Sequence, residues 1–138
     1  MTQRSLAWVA LAGGMLVVLF WACYFSGAIP LADAGETIRE FEAAFPIADG
    51  LLAATLLAAS RALSRDQPAG PFLLIVGAAM CVYLGVLDVT FYSRQGLYRG
   101  EPGDWLVELA VNLLTIGGGS LGLYAGWRLW RARFAGSR

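Results

Sequence analysis

Four stretches of this chain are long and apolar enough to cross the hydrocarbon core of a bilayer, which limits its possible folds more than any other feature. A crossing helix needs about 20 residues, and the runs over about 5–29, 46–63, 71–92 and 105–127 supply them. The first run stops at Pro30; it is too long for the apolar part of a signal peptide, and no A-x-A cleavage pattern follows it. The second opens at Pro46, a first-turn position where a missing N–H does no harm. No repeat, low-complexity tract or separate soluble segment interrupts the pattern. The expectation is an all-α fold, with residues 1–138 forming one integral membrane domain built as a four-transmembrane-helix bundle.

Composition agrees and excludes several chemistries. Hydrophobic residues make up 58% of the 138 positions and charged residues only 14%, whereas a soluble domain carries about a quarter charged residues. All ten basic residues are Arg, and His is absent. A Lys Schiff base, a His-ligated haem, a His-containing zinc site and a His general base are therefore ruled out. Cys23 and Cys81 are too far apart for a C-x-x-C motif and read as small apolar packing residues, not a disulfide. No metal, cofactor or nucleic-acid partner is expected.

Charge sets the orientation. If the N-terminus, the loop between the second and third spans and the C-terminus share a side, that side holds Arg4, Arg61, Arg65, Arg128, Arg131, Arg133 and Arg138 against Asp66 alone. The opposite side holds Arg39, Arg94 and Arg99 against the other nine of the chain's ten acids. Positive residues in short loops stay in the cytoplasm, so both termini are expected inside a bacterial cytoplasmic membrane. Trp8, Trp127 and Trp130 mark the inner interface; Trp21, Tyr24, Tyr92, Tyr98 and Trp105 mark the outer one. In the first outer loop Asp33 and Glu36 have capping-box spacing, and Ile38, Phe41 and Phe45 recur at helical intervals among charged residues. This predicts a short amphipathic helix on the outer leaflet or over the bundle.

Helices in lipid associate where small residues let backbones approach closely. Gly118, Gly122 and Gly126 in the fourth span, and Gly77, Cys81 and Gly85 in the third, have that four-residue spacing and are expected at helix contacts. They could pack within one chain or against a second copy or another membrane protein. The same faces lead outward to polar residues. Asp88 continues the stripe of the third helix, Glu108 and Asn112 lie on a comparable stripe of the fourth, and Asp49 falls in the first turn of the second. At 1.5 Å per residue all four fall within roughly 10 Å of the outer interface. Acids at such depth are costly and mark candidate sites, so Asp49, Asp88, Glu108 and Asn112 form the expected ligand or ion site. Arg94 and Arg99 are the available counter-ions. A scaffolding alternative stays open: Asp49 as a helix cap, Asp88 paired with Arg94 or Arg99, Glu108 reaching water, and Asn112 bonded to a neighbouring helix.

Three function classes remain. The site could bind or transport a cation, a proton or a polar small molecule. The chain could be a structural or accessory membrane subunit that packs through its Gly faces. It could be a membrane enzyme with Asp49 and Asp88 as an acid–base pair, although Tyr83-Leu84-Gly85-Val86-Leu87-Asp88 lacks the G-x-G-D pattern of presenilin-like intramembrane proteases. The segments Phe45-Pro46-Ile47-Ala48-Asp49-Gly50 and Gly85-Val86-Leu87-Asp88-Val89-Thr90-Phe91-Tyr92, followed by Gln95-Gly96-Leu97-Tyr98, resemble those of small uncharacterised bacterial four-helix membrane proteins. The resemblance implies the four-helix fold and places Asp49 and Asp88 in family-like segments. It carries no activity with it.

Overall fold

In the computed structural model each apolar run becomes one helix. These are α1 (Gln3–Phe25), α2 (Phe45–Ser64), α3 (Ala69–Gln95) and α4 (Pro102–Ala135), with a 3-10 turn at Leu97–Arg99 between the last two. The structure describes residues 2–28, 37, 40–41, 43–100 and 102–135, with no strand among them. All four helices are long and apolar enough to span a membrane, as a multi-pass protein requires. The expected amphipathic helix of the first outer loop falls largely outside the described residues. Of its apolar face Phe41 is described, stacked on Phe91 at 3.6 Å between ring centroids and edge-on to Phe45 at 4.7 Å.

Local chemistry sets the helix ends. Thr2 caps α1, its hydroxyl accepting from the Ser5 backbone N–H at 3.1 Å. Pro46 occupies the first turn of α2. α3 stops at Gly96, whose φ of 75° lies in the left-handed region that glycine enters without steric cost. α4 has 34 residues, about 50 Å at 1.5 Å each, and outruns a hydrocarbon core of about 30 Å. It continues past the expected end at Trp127 because no Gly or Pro breaks the run to Ala135, and its added turns carry Arg128, Arg131 and Arg133.

The helices pack in chain order: α1 on α2, α2 on α3, α3 on α4, with only slight contact between α1 and α4. All four meet at the end that carries the termini. There Leu6, Ala7 and Ala10 of α1, Ala59 and Leu63 of α2 and Leu74 of α3 form one buried cluster, with Ala125 and Leu129 of α4 against it. Polar groups close this Arg-rich end. Gln3 Nε2 donates to the Leu63 carbonyl at 2.9 Å and to Asp66 Oδ1 at 3.0 Å. Arg133 donates to the Asp66 carbonyl at 2.9 Å and forms an ion pair with its carboxylate. The start of α1 and the last turns of α4 are thereby tied to the α2–α3 loop. At the acidic end the second cluster, around Leu52, Leu56 and Leu84 with Val17, Phe45 and Met80, draws on α1, α2 and α3 but not α4.

The contacts use small residues, as lipid solvent demands, but not the set the four-residue spacing indicated. A Cβ added at Gly119 would lie 2.8 Å from the Ala78 carbonyl oxygen, and one at Gly126 would lie 2.8 Å from Ile75 Cγ1. A Cβ at Gly122 would touch Ala78 Cβ at 3.0 Å, whereas one at Gly118 would meet nothing within 4 Å. The seam with α3 is therefore Gly119, Gly122 and Gly126, and Gly118 makes no such contact among the described residues of the chain. Each four-residue step rotates about 40° around a helix, so a seam alternates steps of three and four. The same drift divides the third helix: Gly77 faces Leu56 of α2, while Gly85 faces Ile116 of α4. Alanine carries much of the remaining core, with Ala59 fully buried. Large apolar side chains such as Leu16, Leu114 and Leu121 point outward, the inverse of a soluble fold.

Candidate functional site

Asn112 is the polar side chain most completely enclosed: it is 1% exposed, on the face of α4 that looks back towards α3 and the turn after it. The chain reaches it through Gly96. Because that residue turns α3 off in a left-handed conformation, Leu97–Arg99 folds as a 3-10 turn beside the start of α4. Tyr98 then sits against Asn112, whose Nδ2 donates to the phenolic oxygen at 3.3 Å. The opposite atom of the amide, Oδ1, is buried and receives no hydrogen bond among the described residues.

Tyr98 is the hub of this end. Its ring lies edge-on to Tyr92 at 6.5 Å and 85°, and edge-on to Trp105 at 6.3 Å and 81°. Trp105 Nε1 donates to the Gly100 carbonyl at 3.1 Å, pinning the turn to α4. Burial pushes the Tyr98 hydroxyl above its ordinary titration range, and the negative charges of Glu108 and Asp88 push it the same way. The hydrogen bond with Asn112 opposes them. Two carboxylates from different helices thus act on the phenolic oxygen to which Asn112 is bound.

Asn112 is bonded to Tyr98, and Glu108 and Asp88 act on the Tyr98 hydroxyl through their charge. Asp49 is half-buried and accepts from Trp21 Nε1 of α1 at 2.9 Å, which places it on the α1–α2 seam. Trp21 is held in turn by Tyr24, at 4.9 Å between centroids, and by Phe20 and Phe25. Asp49 makes no cap to α2. Arg94 and Arg99 are exposed and form no ion pair among the described residues. The Thr115 hydroxyl, on the polar stripe of α4, bonds back to the Val111 carbonyl at 2.7 Å and does not join the site. Cys23 and Cys81 are free thiols.

In the sequence Tyr98 and Trp21 read only as interfacial markers. Their signal was positional: Trp21 lies at the depth of Asp49, and Tyr98 follows a Gly that ends a helix near Asn112. Chemically, the Tyr98–Asn112 pair offers a desolvated amide oxygen and a hydroxyl with a spare lone pair, in a field that Glu108 and Asp88 make more negative. It can accept hydrogen bonds and attract positive charge. Among the described residues no group of three or more Asp, Glu, Cys or His side chains is placed to hold a metal ion. Comparison of the chain with protein-family models, curated proteins and solved structures finds no match.

Proposed function

We propose that this protein is a multi-pass protein of the bacterial cytoplasmic membrane, with both termini inside, that binds a cation at the Tyr98–Asn112 site near its outer face. The observation that carries the reading is Asn112 Oδ1, enclosed with no donor among the described residues, while its hydrogen-bond partner Tyr98 feels the negative charge of Glu108 and Asp88. Leaving such an oxygen unsatisfied costs about 1–3 kcal/mol, and an occupant that brings positive charge or a donor recovers it. The Arg-rich end is closed by a core from four helices and by the Gln3–Asp66–Arg133 contacts, so the acidic end is the side of entry. The split of Arg and acidic residues supports the orientation. Labelling single cysteines at positions 137 and 36 tests it: opposite sides are expected, and the same side refutes it.

The binding itself is tested by melting the protein in nanodiscs with ammonium, sodium or potassium chloride at fixed ionic strength. At least one cation should raise the midpoint in a saturable way, and Asn112→Ala should abolish the rise. Indifference to all three and to alkylammonium ions as well would refute the cation site. A second reading, as an accessory subunit, is favoured by α4. This is the least buried of the spans, and it leaves Gly117 and Gly118 facing open space.

A further inference from the structure

The cation reading leaves its class open, and the surroundings of Tyr98 narrow it. We propose that the ligand is an organic ammonium carrying at least one N–H, bound by Asn112 Oδ1 and the Tyr98 hydroxyl, and flanked by the rings of Tyr92, Tyr98 and Trp105. This rests on the cation site proposed above and names its ligand class.

Four observations point the same way. Asn112 Oδ1 is a neutral, enclosed acceptor, and an N–H fills it directionally. The Tyr98 oxygen already accepts from Asn112 Nδ2, and its second lone pair can accept a further N–H. Glu108 and Asp88 make the field at that oxygen negative, which favours a charged amine over a neutral donor. The rings of Tyr92, Tyr98 and Trp105 form a continuous edge-to-face run that includes the phenol of the polar pair. Ring faces attract alkylammonium groups through their quadrupole and also cover the attached carbons.

The competing cations lack one of these matches. A divalent metal prefers six or more oxygen ligands with several carboxylates, and among the described residues no three Asp, Glu, Cys or His side chains are placed to hold one. A bare proton would reside on a carboxylate and leave both the amide oxygen and the rings without a role. A quaternary ammonium suits the rings but has no N–H for Asn112. An alkylammonium uses every group. Tyr98 and Trp105 are half-buried while Tyr92 is buried, so the first two rings are the ones a ligand can reach.

Calorimetric titration of the full chain in nanodiscs, against empty nanodiscs, tests this with n-propylammonium, tetramethylammonium and sodium chlorides at matched ionic strength. The expected result is a saturable isotherm for n-propylammonium, at least tenfold weaker binding of tetramethylammonium and no binding of sodium. Asn112→Ala and Tyr98→Phe should each weaken n-propylammonium at least fivefold. Trp105→Leu should weaken it about threefold or more, consistent with the loss of one cation–π contact. Tyr98→Phe keeps the ring, so it decides the matter if the Asn112 variant does not fold. Asn112-dependent sodium binding without n-propylammonium binding would overturn the ammonium class and leave the cation site standing. Equal binding of tetramethylammonium would overturn the N–H requirement. Binding unchanged in both Tyr98→Phe and Trp105→Leu would overturn the location, and no binding of any titrant would overturn both readings.

Discussion

Adjacent glycines on α4 allow the helix contacts to be tested with a single chemical change. At Gly119 a new Cβ would lie 2.8 Å from the Ala78 carbonyl oxygen and 2.9 Å from both Cys81 Cβ and Val82 Cγ2. One of those neighbours is backbone, so the two helices must separate; overpacking of this kind costs about 1–3 kcal/mol. At Gly118 the same methyl would meet nothing within 4 Å. Replacing Gly by Ala within a helix gains roughly 1 kcal/mol at either site, and this gain cancels when the two variants are compared. Gly119→Ala should therefore be less stable than Gly118→Ala by about 1–3 kcal/mol. Gly118→Ala should match or exceed the parent. Equilibrium unfolding in mixed micelles, followed by far-ultraviolet circular dichroism, reads both. Equal stability of the variants would refute the seam, and a damaging Gly118→Ala would mean that this face packs against a partner.

Three further outcomes follow from the polar contacts. The Tyr98 phenol, isolated as the difference between parent and Tyr98→Phe in an absorbance titration, should ionise above the ordinary tyrosine range, and Glu108→Gln should lower its midpoint. Because its folded-state value is raised, this group's stabilisation is present at neutral pH and is lost as pH climbs from the ordinary tyrosine value through the raised one. Trp21→Phe removes the donor to half-buried Asp49 and should cost about 1–2 kcal/mol; Asp49→Ala in that background should cost little more, as a double-mutant cycle would show. Arg133→Ala should cost about 1 kcal/mol at most, since Asp66 is largely exposed. It should also speed protease cleavage between α2 and α3.

Much of this architecture is legible in the sequence, and the gaps have physical causes. The spans were legible because lipid admits few alternatives: 20 apolar residues between Pro30, Pro46 and the Arg clusters can only be helices. The far end of α4 was not, because a hydropathy limit at Trp127 marks where the membrane ends, not where helical hydrogen bonding ends. The depth of Asp49, Asp88, Glu108 and Asn112 follows from counting residues. Their grouping depends on rotation about each helix axis and on a turn at Gly96 that brings Tyr98 to Asn112. Within the chain a fixed four-residue spacing slides off a contact that alternates threes and fours, which is why Gly119 and not Gly118 meets α3.

The central claim is that Asn112 Oδ1 receives a cation, and the sequence allows a direct test because Asn112 is the only asparagine in the chain. Protein in nanodiscs labelled with 13C,15N-asparagine gives one side-chain carboxamide signal in the NMR spectrum. The account predicts that n-propylammonium shifts this carbonyl resonance in a saturable way, and that the shift weakens in Glu108→Gln. A carbonyl signal that stays in place through the whole titration, with n-propylammonium and with sodium or potassium in its stead, would contradict it.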